Sequence, residues 1–133
     1  PAVSSRAFQD LLEQALTSWI EAGSDSRTAE TGSPGRAPES WPQFVARTHA
    51  ALGELAGSLS SGETGLVFTS GGVLAAICAG LLGLGPSGFL ALNRVAVNAA
   101  ITRIAHGRRG ATLISFNEHG HLERRDGALV TYR

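Results

Sequence analysis

The residues best suited to chemistry in this sequence form a short polar and glycine-rich run, TSGG at positions 69–72. The run begins at the last residue of a mostly apolar stretch, residues 65–69. It precedes an apolar helical stretch that begins at Val73. The first amides of a helix have no partners within the helix, and the helix dipole is positive at that end. Because glycine lets a ligand approach the backbone closely, the run predicts a site for an anion such as phosphate, formed by Thr69, Ser70, Gly71 and Gly72.

Histidine and cysteine give weaker signals. His119 and His121 are two positions apart and would share one face of an extended segment, but a metal site needs at least a third ligand. Cys78 is the only cysteine, which excludes an intrachain disulfide. Its apolar neighbours predict a buried side chain and not a reactive thiol. No metal and no cofactor are therefore predicted.

Composition limits the classes of function. The 133 residues correspond to one domain or a part of one, and 43% hydrophobic with 17% charged residues excludes a highly charged disordered chain. The net charge is zero, so a nucleic-acid partner is not expected.

Charge is unevenly distributed along the chain. Residues 1–66 carry four arginines and eight acids, whereas residues 67–133 carry seven arginines and three acids. This asymmetry suits an anionic ligand in the second half, although an uneven solvated surface explains it equally well. The paired arginines at 108–109 and 124–125 are interpreted as solvated loop charges.

No targeting or membrane segment is evident. The apolar run at residues 73–82 is too short to span a bilayer, and the first residues show no signal-peptide pattern. A cytoplasmic protein without a membrane partner is expected. Position 1 is proline, so either an initiator methionine was removed or Pro1 lies within a longer reading frame.

Two amphipathic helices are predicted in the first half. Apolar residues recur at helical spacing from Ser4 to Ala22. Residues 23–38 are rich in Gly, Ser, Thr and Pro and are expected to form a flexible insert. Ser40 and Gln43 have capping-box spacing, so a second helix is expected from there to about Leu59.

A strand, a turn and a buried helix follow in order. Residues 65–69 form a short apolar run with turn residues on both sides, which fits a strand buried on both faces, as in a parallel sheet. The helix predicted from Val73 to about Gly83 is apolar almost all round and should itself be buried.

The rest of the chain predicts a turn, a short helix, a hairpin and a tail. The hairpin is indicated by alternating polar and apolar residues on either side of a polar loop. These elements are assigned to residues 84–88 (turn), 89–97 (helix), 100–105 and 111–116 (antiparallel hairpin) and 117–133 (polar tail). The fold class is therefore α/β.

Four segments, in order, resemble the histidine phosphatases, also called the phosphoglycerate-mutase-like superfamily. Residues 39–47 (ESWPQFVAR) resemble the helix start before the last core strand of that family. Residues 67–73 (VFTSGGV) resemble the strand and S-H-G-G of its second catalytic motif. Residues 98–102 (NAAIT) resemble its N-x-S-[IV]-[ST] strand, and residues 116–123 (FNEHGHLE) resemble its closing N-x-x-x-H-L segment.

The resemblance implies a three-layer α/β/α fold, of which residues 1–133 would be the C-terminal portion of a domain. It also implies phosphoryl transfer through a phosphohistidine. In that family a histidine in an R-H-G motif attacks phosphorus, a second histidine and arginines bind the phosphoryl oxygens, and a carboxylate protonates the leaving group. Such an arrangement suits a reaction that depends on positioning and cationic stabilisation.

This sequence departs from the family pattern in two respects. It contains no R-H-G, so the nucleophile strand and its arginines would lie upstream of Pro1. Ser70 also stands where the family has its second histidine, and a hydroxyl brings no positive charge. The 133 residues alone are therefore predicted to be inactive.

Three hypotheses remain open on the sequence. The chain is part of an enzyme that acts on a phosphomonoester, with Ser70 in the catalytic position of the second histidine. Alternatively, it is a non-catalytic module that binds a phosphorylated small molecule or a phosphoprotein. A third reading is a truncated product that needs a partner to fold, either a second copy or a complementing N-terminal segment, because a sheet without its central strand exposes unpaired edges.

Overall fold

The computed structural model describes residues 5–24, 38–123 and 129–132. Its elements in chain order are α1 (Ser5–Ser24), α2 (Trp41–Ser58), α3 (Gly71–Leu81), α4 (Pro86–Val95), β1 (Ile101–Gly107), β2 (Gly110–Glu118) and α5 (Gly120–Glu123). The chain divides into two compact units, Pro1–Arg47 and Thr48–Arg133, and the division falls within α2.

An aromatic cluster characterises the first unit. The Trp19 ring on α1 meets the rings of Trp41 and Phe44 on α2 edge-on, with centroids 5.5 and 5.3 Å away. The indole Nε1 of Trp19 donates a hydrogen bond of 2.8 Å to the carbonyl oxygen of Glu39, and Ile20 is buried. Aromatic pairs of this kind add about 0.5–1.5 kcal/mol each beyond their buried area. The predicted apolar faces are thus used in packing around Trp19 and Ile20, whereas Phe8 and Leu11 at the start of α1 are 53 and 58% exposed.

The predicted capping box begins α2. The Ser40 amide donates to Gln43 Oε1 at 2.9 Å, and the Gln43 amide donates to Ser40 Oγ at 3.4 Å. These reciprocal bonds satisfy two amides that the helix itself cannot pair. The prediction of a helix beginning at this point is confirmed, and the helix ends at Ser58, one residue before the predicted end.

The core of the second unit is the predicted buried helix, which forms α3. Five consecutive residues in the middle of α3, residues 75–79, are buried, and the helix packs against α4 and β2. Phe89 on α4 is 2% exposed and is the largest fully buried side chain of the described residues. An apolar helix of this kind has no face to offer solvent, so its neighbours must cover it.

A Schellman motif ends α3. The Leu84 amide donates to Ala79 O at 2.8 Å, and the Gly83 amide donates to Gly80 O at 3.1 Å. Gly83 has a φ of 67°, which a glycine adopts without the steric cost of a Cβ. The turn predicted at residues 84–88 is therefore shorter than expected, and α4 begins at Pro86, where proline is tolerated in the first helical turn.

The predicted antiparallel hairpin is present as β1 and β2. The strands are longer than the predicted segments and meet at a two-residue loop, with Gly107 opposite Gly110. The tail prediction needs correction, because residues 117 and 118 continue β2 and a single turn of helix, α5, follows. The reason is a set of hydrogen bonds around Asn117, described below.

The predicted parallel strand at residues 65–69 is not formed. The segment has no strand partner among the described residues, and Leu66 and Phe68 are 82% and 89% exposed. A strand buried on both faces requires neighbouring strands, and the only sheet in the described residues is the β1–β2 hairpin. The broader α/β assignment is confirmed by the mixture of helices and sheet.

The structure describes the predicted insert at residues 23–38 only at its two ends. Its first two residues, Gly23 and Ser24, belong to α1. Residues 25–37 lie outside the described residues.

Replacing Gly80 with alanine should destabilise the second unit. A Cβ at Gly80 would collide with the His49 ring, whose Nε2 also donates to Ala76 O at 3.3 Å. We expect a loss of about 1–3 kcal/mol, seen as a lower midpoint of thermal or urea unfolding.

Gly53→Ala on α2 is the matched control, because a Cβ there meets nothing within 4 Å. That change should leave stability unchanged or raise it by about 0.5–1 kcal/mol. Equal effects at the two positions would contradict the packing described for His49.

Candidate functional site

The four residues of the predicted anion site, residues 69–72, lie together at the start of α3. Ser70 is the N-cap residue, with extended backbone angles (φ −85°, ψ 156°), and its carbonyl accepts the first helical bond from Leu74 at 3.2 Å. The Ser70 side chain makes no capping hydrogen bond, which leaves its hydroxyl available to an incoming ligand. Thr69 and Ser70 are exposed, and Gly71 and Gly72 are half-buried.

The chemistry of this turn follows from its amides. The N–H groups of Ser70, Gly71, Gly72 and Val73 precede the first helical hydrogen bond and have no acceptor within α3. Glycine at both first-turn positions removes the side chains that would stand between these donors and a ligand. The arrangement can bind an oxyanion through several amides, one hydroxyl and the positive end of the helix dipole.

The side-chain oxygen of Asn93 lies near the same turn. A Cβ at Gly72 would lie 3.8 Å from Asn93 Oδ1 on α4, so the two helices approach closely here. Asn93 Oδ1 is buried and has no hydrogen-bond partner in the described part of the chain. Asn93 was not identified from the sequence, since a single asparagine in a short helix gives no pattern.

The segment that leads into the site is open. Leu66, Val67 and Phe68 are 82, 57 and 89% exposed, directly before the Thr69–Ser70 turn. The candidate anion site therefore borders α3 and α4 on one side and an exposed apolar segment on the other.

Asn117 fastens the end of the hairpin to α4. Its Oδ1 accepts a 2.8 Å bond from the Val97 amide, and its Nδ2 donates a 2.7 Å bond to Val95 O. Its own amide donates to Thr102 Oγ1 at 3.4 Å. With φ at 61°, Asn117 adopts a left-handed conformation that asparagine tolerates better than most residues. In this chain the first residue of the N-x-x-x-H-L segment is thus a structural anchor.

His119 and His121 are not brought together. His119 Nδ1 donates to Asn117 O at 2.6 Å, and its Nε2 lies 3.3 Å from Glu123 Oε1. His121 Nε2 donates instead to Ala99 O at 3.1 Å. Each imidazole therefore donates a hydrogen bond to a different backbone carbonyl oxygen. Across the described ranges, no group of three or more His, Cys, Asp or Glu residues is arranged to hold a metal ion.

One of the two predicted pairs of loop arginines lies within the described residues. Arg108 and Arg109 form the exposed two-residue loop between β1 and β2. Arg103 on β1 is paired with Glu118 at 3.4 Å. The pair at 124–125 lies outside the described residues.

A shallow surface groove along α1 includes none of the residues of the candidate anion site. Its lining residues are Asp10, Glu13, Gln14, Thr17 and Ser18.

None of the described helices has the length and apolar character needed to cross a membrane.

Comparison with known proteins identifies the family. The model of the histidine phosphatase superfamily (branch 1) matches residues 5–119. Because the match covers most of the chain, this protein belongs to the histidine phosphatase superfamily, as its four motifs predicted. Comparison with curated proteins and with solved structures gave no match.

Asn117→Gly should destabilise the hairpin by about 1–3 kcal/mol, because it removes the side-chain bonds but keeps the backbone conformation accessible. Asn117→Ala should cost more, since alanine also resists a positive φ. Asn98→Ala, which removes only an exposed 3.1 Å bond to Thr131, should have a small effect. Urea unfolding of the three variants tests this order, and equal losses at 117 and 98 would contradict the anchoring role.

Cys78 should be unreactive in the folded protein. Its side chain is fully buried, and burial raises the pKa of the thiol to about 11. At pH 8 the thiolate fraction is about 100-fold lower than for an unperturbed thiol, and the sulfur is also inaccessible. We expect slow modification by a disulfide reagent in buffer and rapid modification in denaturant. Rapid modification of the folded chain would contradict the packing of α3.

Proposed function

We propose that the chain is the phosphate-binding, C-terminal portion of a histidine phosphatase domain that acts on a phosphomonoester. The observation that carries this proposal is the exposed α3 N-terminus, where the TSGG run resembles the strand and S-H-G-G of the family's second catalytic motif. Ser70 and the amides that follow it bind the phosphoryl oxygens.

Catalysis requires groups that these 133 residues do not contain. The chain has no R-H-G and therefore no family nucleophile. Ser70 can donate one neutral hydrogen bond, whereas the family's second histidine provides a charged donor, and charge-assisted hydrogen bonds are roughly twice as strong as neutral ones. The chain alone accordingly binds phosphate and does not hydrolyse phosphomonoesters.

The alternative is a non-catalytic module that binds a phosphorylated small molecule or a phosphoprotein. The serine at position 70 favours it, because a phosphatase under pressure to turn over substrate gains from the charged donor. Both functions use the same anion site and differ in whether a nucleophile is ever supplied. Both are compatible with a cytoplasmic protein, which remains part of the proposal.

Ser70→Asp is the sharpest test of the site. Aspartate is a good N-cap residue, so the helix keeps or gains stability, but its carboxylate occupies the place intended for the anion and repels it. We expect binding of inorganic phosphate, measured by calorimetry on the full chain, to be lost.

Gly85→Asp is the matched control. Gly85 is the N-cap residue of α4 and has extended backbone angles, and a Cβ there would meet nothing within 4 Å. The same charge is therefore added at a comparable helix start. Phosphate binding should be retained in that variant. Loss of binding in both variants would show a general charge effect, and retention in both would remove α3 as the site.

A further inference from the structure

His119 differs from the other histidines of the described residues, because both of its ring nitrogens face an acceptor. Nδ1 lies 2.6 Å from the carbonyl oxygen of Asn117, and Nε2 lies 3.3 Å from a carboxylate oxygen of Glu123. Neither a carbonyl nor a carboxylate donates a hydrogen bond, so both contacts are favourable only when each ring nitrogen carries a proton. The arrangement therefore suits the imidazolium form of His119.

The neutral form of His119 cannot keep both contacts. A neutral imidazole has one N–H, and the short distance to Asn117 O holds that proton on Nδ1. The lone pair of Nε2 then faces the carboxylate of Glu123, which repels it. Histidine side chains change charge between about pH 5 and 8, whereas carboxylates ordinarily stay ionised over that range.

The neighbouring charged groups are paired elsewhere. Glu118, the last residue of β2, forms an ion pair of 3.4 Å with Arg103 on β1. The ring of His121 is directed to Ala99 O. Among the described residues, Glu123 is the only acid whose carboxylate lies within 4 Å of the His119 ring nitrogens.

We propose that His119 and Glu123 form a pH-dependent clasp, which holds α5 against the end of β2 when His119 is protonated and releases it when His119 is neutral. α5 is short enough to respond to one contact. It is a single turn, closed by the Leu122 amide on His119 O at 2.8 Å, and a helix of four residues is not stabilised by its own hydrogen bonds.

The clasp acts on the turn that joins α4 to β1. In this turn the Ala100 amide donates to Val97 O at 3.2 Å and Ala99 has a φ of 61°, an arrangement in which glycine is preferred over alanine. The bond from His121 on α5 to Ala99 O, at 3.1 Å, helps to hold this strained residue. Release of α5 therefore removes one of the bonds that fix the turn. The clasp does not depend on the proposed function, because it includes no residue of the anion site.

Nitrogen-15 NMR of the isotope-labelled full chain from about pH 5 to 8.5 tests the clasp. We expect His119 to carry protons on both ring nitrogens at the low end and on Nδ1 alone at the high end. The amide shifts of residues 120–123 should follow the loss of that proton. Because the pair is partly exposed, the ratio of docked to released α5 should fall only roughly 2- to 5-fold. A neutral ring protonated on Nε2, or α5 amides that do not follow His119, would overturn the proposal.

Glu123→Gln is the decisive variant. Its side-chain amide can donate to the lone pair of neutral Nε2, so α5 should stay docked at high pH and its amides should lose their pH response. His106→Gln is the matched control, since His106 is an exposed histidine on β1 outside the clasp. That variant should respond to pH as the unaltered chain does. An unchanged response in Glu123→Gln, or a response abolished in His106→Gln, would contradict the clasp.

Discussion

The burial of α3 is the constraint on which the second unit depends. A helix that is apolar on nearly every side must be covered, and α4 and β2 cover it. Its ends are then fixed in space. The C-terminal end closes through the Schellman motif at Gly83, whereas the N-terminal end opens at Ser70 with amides that have no acceptor in the helix. The same packing that removes α3 from solvent therefore presents a set of oriented donors at one exposed turn.

Local signals in the sequence predicted most of the elements. The Ser40–Gln43 spacing predicted the start of α2, and the alternation around the Arg108–Arg109 loop predicted the hairpin, because both depend on residues close together in the chain. The strand at residues 65–69 was predicted wrongly for a related reason. Its composition suits a strand, but strand formation depends on distant partners, which no local pattern reveals.

The candidate site was predictable to the same extent. The TSGG run and its place before a buried helix were visible in the sequence, and the structure places all four residues at one turn. The roles of Asn93, Asn117 and His49 were not visible, because each depends on a contact with a residue on another element. Asn117 was recognised only as part of a motif, and its three hydrogen bonds give that motif a physical meaning in this chain.

Ser70 is suited to phosphate binding but less suited to catalysis than the family's second histidine. Backbone amides and a hydroxyl are enough to hold a phosphoryl group in place, but transition-state stabilisation gains most from charged donors and requires a nucleophile. A chain that keeps the amides and has neither of the other features is suited to binding. We therefore propose phosphate binding, and not hydrolysis, for these 133 residues.

The most direct test is an amide chemical-shift titration of the isotope-labelled full chain with inorganic phosphate. The account predicts saturable shifts concentrated on Ser70, Gly71, Gly72 and Val73, with little change at the first turn of α4, which is also a helix start in the same unit. Shifts spread over the arginines of the hairpin, or no saturable shift at the start of α3, would contradict it.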